Sequence, residues 1–152
     1  MMNNIFLKEE ADAIVARIRK LSPSQQRQWG KMTVDQMLAH CNVPYAYTYE
    51  PEQFKRPGAI RKFILQHLVK KYVVNEQPYK QGGRTAPEFV INNNRNFEKE
   101  QALLISNIQK TQALGAAYFE GRAHFSFGKM TAAEWNNMFY KHLDHHLRQF
   151  GV

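Results

Sequence analysis

Cysteine is almost absent from this sequence, and long apolar runs are absent altogether. The single thiol, Cys41, has no internal partner for a disulfide, which agrees with a reducing compartment. No uninterrupted apolar stretch reaches the roughly 18–20 residues that a membrane helix needs, so a spanning protein is excluded. From Met1 to Ala16 the chain carries Lys8, Glu9, Glu10 and Asp12, where a secretory leader would need an apolar stretch. Acidic residues are also scarce, 13 against 21 Lys and Arg, leaving a net charge of +8. What remains is ordinary: 43% hydrophobic and 22% charged residues in 152 sit near globular averages and exclude a disordered or fibrous chain. That length suits one compact domain, 1–152, able to bury roughly two thirds of its unfolded surface. The expectation is a soluble, single-domain, cytoplasmic protein with no membrane association.

The positive charge is unevenly placed. Residues 1–54 hold six Lys or Arg against six Asp or Glu, and residues 85–152 hold seven against six. Segment 55–84 holds Lys55, Arg56, Arg61, Lys62, Lys70, Lys71, Lys80 and Arg84 against Glu76 alone, a local excess of +7. Such a patch attracts phosphates, acidic ligands or a nucleic-acid backbone; it also suits a plain solvated helix face. No finger spacing, aromatic RNP-like strand or clear helix-turn-helix pattern accompanies it, so nucleic acid is not the expected partner.

Hydrophobic periodicity predicts long amphipathic helices. Ile5, Leu7, Ala11, Ile14, Val15, Ile18 and Leu21 recur at helical spacing, and Ser22-Pro23 breaks the pattern. A second helix is expected from Thr33 to about Tyr49, with Pro44 kinking it or ending it early. A third, Gly58 to Asn75, is expected to turn Ile60, Phe63, Ile64, Leu68 and Val69 inward. Residues 76–92, punctuated by Pro78, Gly82-Gly83 and Pro87, read as a long loop of the kind that often serves function. A fourth helix spans about Asn94 to Leu114 and stops at Gly115. The last runs from Thr131 nearly to the C-terminus. Short strands fit only around Ala123–Phe127 and Phe89–Ile91, so the pattern predicts an all-α bundle.

A short internal echo marks two helix entries. Trp29-Gly30-Lys31-Met32-Thr33 precedes the second helix, and Phe127-Gly128-Lys129-Met130-Thr131 precedes the last. Gln36 or Glu134 follows three residues after each Thr, which makes a capping box. Met32/Met37 and Met130/Trp135 occupy the positions of a hydrophobic staple.

Six histidines carry the chemistry: His40, His67, His124, His142, His145 and His146. At about 100° per residue, His142 and His146 share one helix face and continue the stripe of Trp135, Met138 and Phe139. His145 falls at its edge, and Asp144 points the opposite way. Two imidazoles four residues apart form a chelate for zinc or a similar divalent ion; with no Glu after His142 the pair is not a zincin motif. His40, about two turns into the other capped helix, is the candidate third ligand, at the seam where bundles build metal sites. Three imidazoles leave a position for water, as catalytic sites do. Each feature also has a plain reading: histidines near a helix C-terminus complement its dipole, and His40 alone fits a hydrogen-bonded seam residue. His67 and His124 read as surface or seam residues, and Cys41 as a buried core thiol.

Taken together, Met37-Leu38-Ala39-His40-Cys41, Phe127-Gly128-Lys129, Glu134-Trp135 and Tyr140-Lys-His-Leu-Asp-His-His-Leu-Arg-Gln-Phe150 resemble the DinB/YfiT-like superfamily of metalloenzymes. More narrowly, they resemble a bacterial branch of it known as a domain of unknown function. The resemblance spans roughly Ile5 to Gly151 and rests on the two histidine-bearing helices. It implies a four-helix bundle, up-down-down-up with a long crossover, and a divalent ion, zinc or nickel, on His40, His142 and His146. His145 would replace one of the terminal pair if the last helix were rotated. Relatives include S-transferases and isomerases that use a low-molecular-weight thiol.

The leading expectation is therefore a metal-dependent transferase or hydrolase whose three-histidine site activates water or a thiol. Its small-molecule substrate would be anionic, received by Lys80 and Arg84 on the long loop. The alternative is a non-enzymatic basic helical module for nucleic acid or an acidic partner. A third reading is a helical interaction protein with a structural or decayed metal site. Tyr45, Tyr47 and Tyr49, read as surface aromatics, suit a homodimer, or else the wall of a pocket.

Overall fold

A computed structural model describes residues 2–83 and 85–152. In chain order these form α1 (Lys8–Arg19), α2 (Val34–Tyr49), α3 (Ala59–Ile64), a π-helical turn (Leu65–Val69), α4 (Lys70–Val74), α5 (Phe97–Phe119), β1 (Ala123–His124), β2 (Gly128–Lys129) and α6 (Ala132–Gln149). The fold is all-α, and among the described residues one short hairpin pairs Ala123 with Lys129 and His124 with Gly128.

Contacts between the long helices fix their directions. Asn136 at the start of α6 accepts from the Ile5 amide at 2.7 Å, and Asp144 near its end pairs with Arg17 at 2.8 Å, so α1 and α6 run parallel. Gln101 donates to the Ile18 carbonyl while Phe6 stacks on Phe119, so α5 runs against α1. Asn42 meets Glu100 and Tyr49 meets Thr111, which sets α2 parallel to α5. The result is up-down-down-up, as expected. Ile14, Ile18, Leu38, Leu104, Ile108, Phe119, Trp135 and Phe139 are buried between the four.

Local chemistry explains the boundaries. At the start of α6 the Thr131 hydroxyl accepts from the Glu134 amide, and the Glu134 carboxylate accepts from the Thr131 amide. At α2 the Gln36 side chain accepts from the Thr33 amide at 3.1 Å. Two amides that helix geometry leaves unpaired are thereby satisfied at α6. Pro44 does not end α2, which continues to Tyr49; the Pro44 carbonyl takes the Thr48 hydroxyl at 2.7 Å. Gly115 has φ +71, and there α5 breaks before resuming to Phe119. Phe89–Ile91 forms no strand, since Pro87–Phe89 is a 3-10 turn.

One helix departs from expectation. Ile60, Phe63, Ile64 and Leu68 are exposed rather than buried. Their segment does not enter the four-helix core; it crosses above it and rests on α6 through α4. Lys141 anchors it there, its Nζ donating to the Tyr72 and Asn75 carbonyls at 2.8 Å and to Asn75 Oδ1 at 2.9 Å. Asn137 holds the Val74 carbonyl. The inner face, Leu65, Val69 and Val73, lines a cavity, and Val73 and Val74 pack against the edge of the core. The tyrosines of α2 likewise face inward: Tyr45 is fully buried against Phe139, and Tyr47 is buried at the cavity wall. Only half-buried Tyr49 keeps solvent contact, so the three do not form a surface patch.

Two phenylalanine truncations separate the core from this outer face. Phe139→Ala should cost about 3–5 kcal/mol in urea unfolding, while Phe63→Ala should stay within about 0.5 kcal/mol. Equal losses would contradict the placement of α3.

Candidate metal centre

Three histidines meet where α2 crosses α6. His40 Nε2 lies 2.8 Å from His142 Nε2, and His40, His142 and His146 each offer a nitrogen within 4.8 Å of the others. Donors around a tetrahedral ion at about 2.0–2.1 Å lie roughly 3.3 Å apart, a spacing this cluster brackets. His40 and His146 are buried and His142 is partly so. The α2 side supplies one ring; consecutive turns of α6 supply the other two.

Hydrogen bonds orient two of the rings. The Phe89 carbonyl, 2.8 Å from His40 Nδ1, can only accept, so Nδ1 carries the proton and Nε2 is left bare. Gln149 Oε1, 2.8 Å from His146 Nδ1, does the same for His146. The Gln149 amide is itself fixed, because its Nε2 donates to the Trp29 carbonyl at 2.8 Å. Gly30 permits that approach: at φ +83, a Cβ there would sit 2.5 Å from Gln149 Nε2. Such outer partners fix the tautomer and aim of ligating imidazoles.

Burial keeps the cluster neutral. It holds His142 well below the ordinary histidine value of 6.5, helped by His146 and His40 beside it. Burial also lowers His146, to about 3, with His40 adding to the effect and the Gln149 bond opposing it. His40 falls for the same reason, partly offset by the Phe89 carbonyl. Neutral imidazole is the ligating form. Any three-histidine set that must bind a cation needs this state near pH 7.

The cluster opens into a cavity of about 740 Å³. Tyr47, Phe89 and Val69 supply apolar wall; Lys31 and Lys80 bring positive charge. Trp29 also lines it, and its buried Nε1–H finds no acceptor among the described residues. His145 reaches the same cavity, with its ring 4.9 Å from that of His146, but stays outside the three-nitrogen cluster. His67 is exposed, against Phe63. Of the two loop cations expected to receive an anion, Lys80 lines the cavity and Arg84 lies outside the described residues. Cys41 is buried and its thiol is pushed up by burial, as a core residue should be.

His124 proves more specific than a seam residue. Its Nδ1 accepts from the amides of Ser126 and Phe127 at 3.1 and 3.2 Å, tying off the hairpin turn. Its ring stacks on Phe127 at the cavity edge. Periodicity gives no sign of that bond, nor of the Phe89 carbonyl. Gln149 was more legible, lying three residues after His146 on one helix face.

The family model described as Protein of unknown function (DUF1569) matches residues 6–151, and the chain belongs to that family. No curated protein and no solved structure matches it.

Acid should expose the cost of His124. Burial lowers it to about 3 from 6.5, so the stability tied to its neutral form is complete above pH 6.5 and is lost progressively as pH falls toward 3. Within that window it contributes a slope of up to about 1.4 kcal/mol per pH unit. His124→Asn should lower stability at pH 7 by about 1–3 kcal/mol and flatten the acid limb of urea midpoint against pH. An unchanged slope would contradict the assignment.

Proposed function

We propose that this member of the DUF1569 family is a divalent-metal-dependent enzyme of the DinB/YfiT-like type, with zinc or nickel on His40, His142 and His146. The observation that carries the reading is the convergence of three neutral imidazoles at a cavity large enough for a small molecule. The helix directions and the lengthy crossover between α2 and α5 agree with the resemblance.

A divalent ion held by three imidazoles keeps a position for water or a thiol and lowers its pKa toward neutrality. The chain's own residues prepare that position. Phe89 and Gln149 accept hydrogen bonds from Nδ1 of His40 and His146, which leaves both Nε2 atoms free to ligate. Tyr47, Phe89 and Val69 restrict water around it. Lys31 and Lys80 would hold the anionic part of a substrate. A transferase using a low-molecular-weight thiol, or a hydrolase, fits this arrangement. Of the basic segment, Arg61 and Lys70 are engaged by Glu88 and Glu134, which leaves fewer cations for a nucleic-acid or acidic partner.

Calorimetric titration with zinc tests the reading. The wild-type chain should bind one equivalent, and a His142→Ala/His146→Ala variant none. Gln149→Leu should bind about 10–100-fold more weakly with its fold intact. Equal zinc binding by all three proteins would refute the site.

A further inference from the structure

The segment from Ala59 to Val74 is apolar on two sides, and the cavity accounts for only one. Leu65, Val69 and Val73 face the cavity. On the other side Ile60 is 81% exposed, Phe63 63%, Leu68 67% and Ile64 45%. Exposed side chains of this size at three- and four-residue spacing form a continuous ridge, and such patches mark interaction sites.

Against the expectation of no membrane association, we propose that this ridge docks the protein on an anionic lipid surface, with the helical segment lying in the plane of the interface. Charge around the ridge selects that partner. Lys55, Arg56, Lys62 and Lys71 are exposed. The nearby acids Glu88 and Glu134 are bound to Arg61 and Lys70. A helix with apolar residues on one side and Lys or Arg beside them is the kind that settles between headgroups and acyl chains. Anionic headgroups add attraction for each cation near the surface.

Other partners fit less well. A second copy placed ridge to ridge would bring the Lys55, Arg56, Lys62 and Lys71 cations of the two copies together, a like-charge contact that disfavours association. Nucleic acid would use the cations but leave Ile60, Phe63 and Leu68 in water, since phosphate contacts need no apolar surface. No described helix is long and apolar enough to cross a membrane, and docking requires none. The Lys141 and Asn137 anchors hold the ridge in place from beneath. Because the same helix lines the cavity, docking would set the cavity beside the lipid boundary.

Vesicle flotation of the full chain tests the proposal. Wild-type protein should float with vesicles of phosphatidylcholine and phosphatidylglycerol in equal parts, and not with phosphatidylcholine alone. Phe63→Glu/Leu68→Glu should weaken partitioning at least about tenfold, and Lys62→Ala/Lys71→Ala by about fivefold per charge removed. All four positions are exposed, so circular dichroism and urea midpoints should match wild type. Absence from the mixed vesicles, or undiminished flotation of the Glu variant, would overturn the proposal. So would a dimer in sedimentation that Phe63→Glu/Leu68→Glu dissociates without any vesicle binding, or binding to duplex DNA in place of vesicles.

Discussion

The antiparallel contact of α2 with α6 is the constraint from which the rest of the site follows. Tyr45 stacks on Phe139 with ring centroids 4.8 Å apart and planes 6° from parallel. That stack fixes the axial register of the two helices. One turn and a half toward the start of α2, His40 is brought level with His142 and His146. A shift of one turn, roughly 5.4 Å, would carry the single ring of α2 past the pair on α6. The core thus does more than stabilise; it sets a nitrogen-to-nitrogen distance.

Burying three imidazoles in contact has an electrostatic consequence. Each charged ring would face two others and lack solvent, so the cluster is driven to its neutral form. Neutral rings still need their N–H groups satisfied, and the fold supplies acceptors from two unrelated places. One is the backbone of the crossover, at Phe89; the other is the end of α6, at Gln149. Gln149 depends in turn on Trp29 and on the missing side chain of Gly30. The loop before α2 and the C-terminal turn are joined through this carboxamide and through the bonds of the Gln28 amide and the Gln25 side chain to the Gln149 and Phe150 carbonyls. This gives the Trp29-Gly30 half of the internal echo a physical purpose. In the other half, Gly128 at φ +70 leaves room for Gln66.

Much of this was legible in the sequence, and the exceptions are instructive. The i, i+4 pair His142/His146 and the lone His40 were readable because ligand spacing and helix periodicity share one geometry. The capping residues, the Gly115 break and the bundle class followed from equally local signals. The third helix misled because periodicity reports that a helix has an apolar stripe, not what the stripe faces. Ile60, Phe63, Ile64 and Leu68 make a proper stripe, yet the segment's inner side is already taken up with the cavity. The α2 tyrosines had two readings, surface aromatics or pocket wall; Tyr47 does line the cavity, while Tyr45 is buried against Phe139, and only the tertiary arrangement separates these cases. The Phe89 carbonyl had no signature at all, since any residue carries one.

The central claim is that three imidazole nitrogens from α2 and α6 form a metal centre. X-ray absorption of untagged protein, with its metal content measured alongside, tests this most directly. The account predicts near one equivalent of zinc or nickel, with three nitrogen donors at about 2.0–2.1 Å for zinc and that signature lost in His40→Ala/His142→Ala/His146→Ala. Protein that neither contains nor takes up a metal would contradict it, as would a metal whose environment is unchanged in that variant.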